Sequence, residues 1–583
     1  MKRLTILLVS LLIVACTTTA TRQQEGGITF IHLNDIYRVG TVEDGKRGGL
    51  SRVVTLVRAL QAEGRDVRIL HGGDFLYPSL ESQLWSGQQM VDAMNFVNAV
   101  APLYVVPGNH EFDPRGPESL AAALNASEFT WVGDNLRFDT GDPRADAALR
   151  HGFTFAAGGR TVGVFSLTLH PDDGGNTRSY LAFEDDYATV AERAVQALDE
   201  KGADLIIGVT HLHMWQDVEL AKLKARYPKL AFIVGGHEHE PQYSPGAAGA
   251  AIVMKGASNA RVIWQIDVDF DASGGYRVEE RRIDINENVA LDPAYEVLAA
   301  KWRGQLLEKY PFLEARVGTA ALPMDAREQQ IRSSESSWGN FITDQMRVAF
   351  GEPVADLAFL NSGTLRIDDF IEDDILFEDI GRTFGFSSLL RYTTVTGAEF
   401  KRIMEAGYRG GPVAQGYFPQ VSGFRICVDQ GRPEFDRIVS LQVPTGDGWA
   451  EIAAEDEYVL VVPDFIYGGG DGYEIPQDRF ASRPASELKY LVLDAILRDG
   501  AEMMSLFEGA EREPKALGSV PTPVLTSLDA RIDALANEVV ELMRPVSPRL
   551  MIDATYGGGG HTRALLEAVP ELEVVAIDGN GGT

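Results

Sequence analysis

The sequence predicts an α/β protein in two parts, a layered sheet domain followed by a smaller α+β domain, and three observations lead there. Short apolar runs rich in Val and Ile recur through the first half, at residues 28–33, 67–70, 103–106, 205–209 and 230–234. Runs of that length and composition read as buried strands. The intervals between most of them are long enough for helices, which is the pattern of βα units. Over residues 288–320 the period then changes: Leu291, Tyr295, Leu298, Trp302 and Leu306 recur every three or four residues, as on a helix. That stretch reads as an exposed connector and a natural hinge, with the α+β part following at 321–510.

Each strand run ends at an abrupt corner that carries chemistry. The corners are His32-Leu33-Asn34-Asp35-Ile36-Tyr37, Gly73-Asp74, Gly108-Asn109-His110-Glu111-Phe112-Asp113, His211, and Gly236-His237-Glu238-His239. Carboxylates, an amide and imidazoles at successive strand ends converge on one edge of a sheet, where layered α/β folds place their ligands. Two cations held close together need a bridging carboxylate and several neutral nitrogen or oxygen donors, with room left for a phosphate ester and an attacking hydroxide. The residue types therefore point to a dinuclear metal site with Asp74 as the bridge. His32, His71, His151, His170 and His213 match no ligand position and read as structural.

On these motifs, residues 28 to about 265 resemble a calcineurin-type metallophosphoesterase, and the span to about 505 resembles the bacterial 5'-nucleotidase family. The resemblance implies a four-layer metallophosphoesterase β-sandwich flanked by helices over 28–287, then the α+β substrate-binding domain. It implies two divalent ions (Zn, Mn, Co or similar), one held by Asp35, Asp74 and His239, the other by Asp74, Asn109, His211 and His237. His110 is then no ligand: it stabilises charge on the phosphate or protonates the leaving oxygen, with Asp113 orienting its ring. One position departs from the pattern, because the family carries a second histidine ligand where this chain has Tyr37. A neutral phenol is a poor ligand, since an unperturbed tyrosine ionises only near pH ~10, so Tyr37 is a possible ligand that leaves the Asp35 metal weaker or different.

Three segments of the second domain also resemble the family. Arg332, Asn361 and Arg366 are expected to hold phosphate and ribose, for which the planar guanidinium fork is suited; Arg382 and Arg391 are weaker candidates. Phe418 and Tyr473, the latter beside the glycines at 468–470, match positions that sandwich a nucleobase between two rings.

The termini carry separate signals. Lys2 and Arg3 precede an apolar run from residue 4 to residue 15, about half of the ~20 residues a spanning helix needs. Ile13-Val14-Ala15-Cys16 resembles a bacterial lipobox, so residues 1–16 read as a signal peptide, Cys16 as the lipidated residue and 17–27 as a tether. The protein is expected in the cell envelope, lipid-anchored and facing the periplasm or exterior, with that anchor its only membrane contact. Cys427 is the other of just two cysteines, and its apolar surroundings suggest a buried small hydrophobe. A formal charge of -31 argues against nucleic acid as a partner. Residues 520–583 resemble the amino-terminal part of rRNA cytosine methyltransferases: a strand, the glycine-rich turn at 557–561, a helix and a second strand ending at Asp578. The segment lacks partner strands and reads as a truncated remnant, with S-adenosylmethionine not expected as a cofactor.

The sequence thus predicts a metal-dependent phosphatase whose substrate is a nucleoside 5'-monophosphate or a related nucleotide. The resemblance leaves open a 2',3'-cyclic-nucleotide phosphodiesterase or a UDP-sugar hydrolase. Tyr37 leaves open a non-catalytic nucleotide-binding lipoprotein, and the tail alone points to a methyltransferase.

Overall fold

Strands that are apolar on both faces need a layer above and a layer below, and the first domain supplies both. The computed structural model describes residues 27–114, 116–171, 178–247, 249–271, 273–320, 323–410, 414–446, 448–479 and 487–499, with the strands Leu550–Asp553 and Glu573–Ala576. In one sheet Ile28–Leu33, Asp66–His71 and Leu103–Val105 run parallel, and Val262–Phe270 closes the other side of Ile28–Leu33 antiparallel. In the second sheet Leu205–His211 lies parallel to both Arg160–Thr168 and Leu230–Gly235. Phe30, Leu70, Val106, Ile207, Val209, Phe232 and Val234 fill the space between the sheets, and Phe30 meets Phe232 edge to face at 5.5 Å.

Helices cover both outer faces, which makes four layers. Leu50–Ala62 and Gln88–Val100 bury Val53, Val57, Met90 and Met94 against the first sheet. Tyr187–Glu200 and Met214–Ala221 bury Val190, Val195 and Leu220 against the second. In both sheets the parallel strands end at the same edge, so every predicted corner arrives there.

The second domain is built on a four-stranded sheet in the order Leu390–Thr396, Glu457–Pro463, Leu357–Asn361, Pro419–Ser422. Trp338, Phe341 and Ile342 pack on one face with Val492, and Phe400, Ile403 and Met404 pack on the other. Cys427 is exposed, contrary to the expectation of burial: on the strand Arg425–Val428 it falls on the solvent side of the alternation.

The connector is a helix over Pro293–Lys309, started by Asp292, whose carboxylate accepts the backbone N–H groups of Ala294 and Tyr295. It is docked along one face, with the other face exposed. Tyr295 is fully buried, donates its hydroxyl to the Val39 carbonyl at 2.9 Å and meets Phe96 edge to face. Leu306 packs with Leu313 and Leu80, and Arg303 pairs with Glu378 of the second domain at 2.7 Å. Arg382 joins that network through Glu378 and Glu81, so it serves the domain junction instead of the substrate.

Leu550–Asp553 and Glu573–Ala576 pair in parallel; Cys16, residues 1–26, residues 557–561 and Asp578 lie outside the described residues. Among the described residues no helix is long and apolar enough to cross a membrane.

The docked helix yields a stability prediction. Tyr295→Phe should cost about 1 kcal/mol through the lost hydrogen bond, and Tyr295→Ala about 3–5 kcal/mol through the cavity left. Urea unfolding of the two variants checks this; equal small losses would mean that the helix is not pinned at its first turn.

Candidate metal centre

Ligands at strand ends must turn back toward the space between the sheets, and the backbone does so in the left-handed region. Asp35, Asp74 and His237 have φ of 56°, 61° and 83°, uncommon for residues other than glycine. Gly73 before Asp74 has φ +85°, and a Cβ there would lie 2.6 Å from the Gly108 nitrogen; a Cβ on Gly108 would collide with the Asp74 carboxylate. Only glycine lets these two corners approach.

Glu111 locks the same turn. Its carboxylate accepts the backbone N–H of Asp74 at 3.0 Å, of Phe75 at 2.8 Å and of Leu76 at 3.1 Å, and that of Gly108 as well. Burial, with Asp74 nearby, raises its pKa to about 7 despite those donors. Nothing in its spacing distinguishes Glu111 from an ordinary acidic residue of the Gly-Asn-His-Glu corner; the role emerges only when the two corners meet.

Donor atoms gather at two foci that share Asp74. Asp35, Asp74 and His211 offer ligand atoms within 4.8 Å of one another. At the first focus His239 Nε2 lies 3.3 Å from Asp35 Oδ1, and the Tyr37 hydroxyl stands 3.0 Å from His239 Nε2, 3.3 Å from Asp35 Oδ1 and 3.4 Å from Asp74 Oδ2. At the second, His211 Nε2 lies 3.2 Å from Asp74 Oδ2 and 3.0 Å from Asn109 Oδ1, which is 3.2 Å from His237 Nδ1. Two carboxylates, three imidazoles and an amide oxygen form a donor set that suits divalent zinc or manganese.

The electrostatics follow from burial against pairing. Burial opposes ionisation of Asp74, but His211 and His110 outweigh it and hold its carboxyl well below the usual range. Burial favours a neutral His211 ring, yet Asp74 and its hydrogen bond lift the pKa to about 9. Burial, with Asp74 and Asp35 close by, pushes the Tyr37 phenol well above its ordinary value.

His110 stands beside the foci. Its backbone N–H donates to Asp74 Oδ1 at 2.9 Å, its Nδ1 meets Asp113 at 3.0 Å, and Arg366 Nη2 reaches its Nε2 at 2.7 Å. A cavity of about 790 Å³ opens here, lined by Asp74, Asn109, His110 and His237 from the first domain and by Arg332, Asn361 and Arg366 from the second. Among the described residues, Arg366 Nε and Nη1 and Arg332 Nε are buried without a hydrogen-bond partner. His170 and His213 also line this cavity, whereas His32 and His71 are buried on backbone partners.

The ring sandwich expected from Phe418 and Tyr473 does not form. Tyr473 is fully buried against Phe359 and donates its hydroxyl to the Tyr417 carbonyl at 2.6 Å, and Phe418 packs on Tyr408. Motif position does not say which way a ring turns, and here the domain core takes Tyr473 wholly and Phe418 in part. The rings that line the cavity are Tyr417, Phe386, Phe435 and Phe465, with the Arg409 guanidinium 3.6 Å from the Tyr417 ring centre.

Comparison with known proteins agrees with this geometry. The family model of the calcineurin-like phosphoesterases matches residues 28–241, and that of the 5'-nucleotidase C-terminal domain matches residues 316–478. The chain is 26% identical over 494 residues to a trifunctional nucleotide phosphoesterase of Bacillus subtilis, an alignment covering 77% of this chain and 32% of that protein. It is 23% identical over 500 residues to human 5'-nucleotidase, covering 77% and 84%. The fold resembles the 5'-nucleotidase precursor of Thermus thermophilus with a TM-score of 0.69 and 24% identity, over 81% of this chain and 96% of that one. With both domain models matched in order, the chain belongs to the 5'-nucleotidase family of calcineurin-like phosphoesterases, hydrolases that act on phosphoester bonds.

Proposed function

We propose that the protein hydrolyses nucleoside 5'-monophosphates or closely related nucleotides to nucleoside and phosphate. The observation that carries this reading is the shared cavity, in which metal donors from one domain face buried arginine donors and aromatic rings from the other. Buried donors without partners are costly unless an anion takes them, and a phosphate bound beside the contact between His110 and Arg366 would reach the arginine donors. Tyr417 and Arg409 lie further along the cavity as a flat wall for a base. The volume falls within the range of ordinary small-molecule sites.

Asp35, Asp74 and His239 would hold one divalent cation, and Asp74, Asn109, His211 and His237 the other. When bound, these cations supply polarisation of the phosphoryl oxygens and water of lowered pKa. The chain's own residues do the rest. Asp113 accepts the Nδ1 proton of His110 and so fixes the ring with Nε2 toward the cavity. Arg366 and Arg332 neutralise the phosphate and hold it against the His110 side. Asn361, whose amide donates to Asp471 at 2.8 Å, presents a polar edge for the sugar. We further propose export and lipid anchoring at Cys16, supported by the basic, apolar leader that precedes it.

Three outcomes test the reading. His110→Asn should lower turnover on AMP by roughly 10² to 10⁴ with cation content unchanged; loss of cation would show that His110 is a ligand. Tyr417→Ala should weaken nucleotide binding by about 1–3 kcal/mol and spare an aryl phosphate that has no base, and a phosphate-release panel of AMP, UDP-glucose and cyclic AMP defines the substrate class. Equal damage to aryl phosphate and AMP would remove Tyr417 from the base site.

The third concerns pH. A raised pKa means that His211 carries a proton below about 9 in the cation-free chain, and a cation must displace it, whereas Asp35 and Asp74 stay ionised. Apparent cation affinity should therefore rise with pH by about tenfold per unit through the neutral range, with one proton released per His211 site. Calorimetric titration in buffers of different ionisation heat measures that release; a pH-independent affinity would contradict the pairing of His211 with Asp74.

A further inference from the structure

The second domain reaches one cation position through a single carboxylate. Glu328 begins the short helix Glu328–Ile331, within the segment matched by the C-terminal domain. Its side chain is only 3% exposed, and Oε2 accepts a hydrogen bond from Nδ1 of His239, which belongs to the phosphoesterase domain. Oε1 accepts from Arg332 Nη2 at 2.8 Å and lies 3.7 Å from Arg366 Nη1. The backbone N–H of Glu328 donates to Asp368 Oδ1 at 3.0 Å, and Asp368 accepts from Ser258 of the first domain at 2.8 Å and pairs with Arg261. Both ends of the residue are thus fixed across the domain junction.

An imidazole has two nitrogens pointing in opposed directions. A carboxylate that takes the Nδ1 proton leaves Nε2 bare and makes it a stronger donor. Nε2 of His239 is the atom directed at Asp35 and Tyr37. This is also the focus where the chain has a phenol in place of a ligating imidazole, so its remaining donors carry more of the binding.

We propose that Glu328 is a positioning residue for the cation held by Asp35, Asp74 and His239, so that this position reaches full affinity only when the second domain is packed against the first. The inference rests on the two-cation reading above. By linkage, filling the position favours the packed arrangement to the same extent that packing favours the cation.

The test is a calorimetric titration of the full-length, cation-free chain with zinc and, separately, with manganese. Glu328→Gln keeps an acceptor but removes the charge, and it should weaken one of two positions about 10- to 100-fold while the other keeps its wild-type affinity. Glu328→Asp, still charged but one methylene shorter, should fall between, and Tyr37→His in the Glu328→Gln background should recover the lost affinity by restoring a ligand. Unchanged affinities in Glu328→Gln, or equal weakening of both positions together with a lower melting temperature, would overturn the proposal. Should Glu328→Gln fail to fold, ¹⁵N spectra of the zinc-loaded wild type decide: His239 bound through Nε2 with a protected Nδ1 proton supports it, and His239 bound through Nδ1 overturns it. A wild type that fills two positions yet hydrolyses no nucleotide would remove the substrate reading, while the affinity loss in Glu328→Gln would still support the role of Glu328.

Discussion

Two carboxylates, Asp35 and Asp74, lie side by side with almost no access to solvent, and the rest of the site is arranged to make that tolerable. Like charges buried together cost several kcal/mol unless positive charge or hydrogen-bond donors surround them. The backbone contributes first: the N–H of His237 donates to Asp35 at 3.0 Å and that of His110 to Asp74 at 2.9 Å. Imidazoles contribute next, through His239 and His211. Divalent cations bound at the proposed positions would complete the neutralisation, and the gathered donors suit them. The left-handed turns and the glycines between them follow from the same demand, because no regular strand end brings these groups so close.

The second domain answers a related demand. Glu328 adds a further buried carboxylate, and Arg332, Arg366 and His239 surround it and hold its pKa low against the effect of burial. The arginines that balance Glu328 are also those that face the cavity. A phosphate held in this cavity would therefore draw on the same positive charges as Glu328, and the cavity suits an anion although the chain as a whole is strongly acidic.

The corners were legible in the sequence because each couples a short apolar run to a ligand-type side chain, three of the five beside glycine, a combination that few other arrangements produce. The connector's helical period was legible too, but its docking was not, since an amphipathic repeat does not name its partner. Tyr473 shows a different limit: its position beside glycines is that of a ring near a ligand, yet the orientation was decided by space next to Phe359. Cys427 was misplaced because apolar neighbours hide a two-residue alternation. Glu328 left no trace at all, being 89 residues from His239 on a four-residue helix with no recognisable pattern. Groups that act across a domain junction are invisible to local periodicity.

The contact between Glu328 and His239 also bears on how such chains can be recombined. This chain looks modular, with a phosphoesterase domain and a C-terminal domain matched separately along it. Here the boundary between modules runs through the contact of Glu328 with His239, the proposed cation ligand. A C-terminal domain exchanged into this chain would leave His239 Nδ1 without its carboxylate unless it carried one at the start of the same short helix. On the proposed role of Glu328, an exchange of domains would have to preserve this residue for the His239 position to keep its affinity.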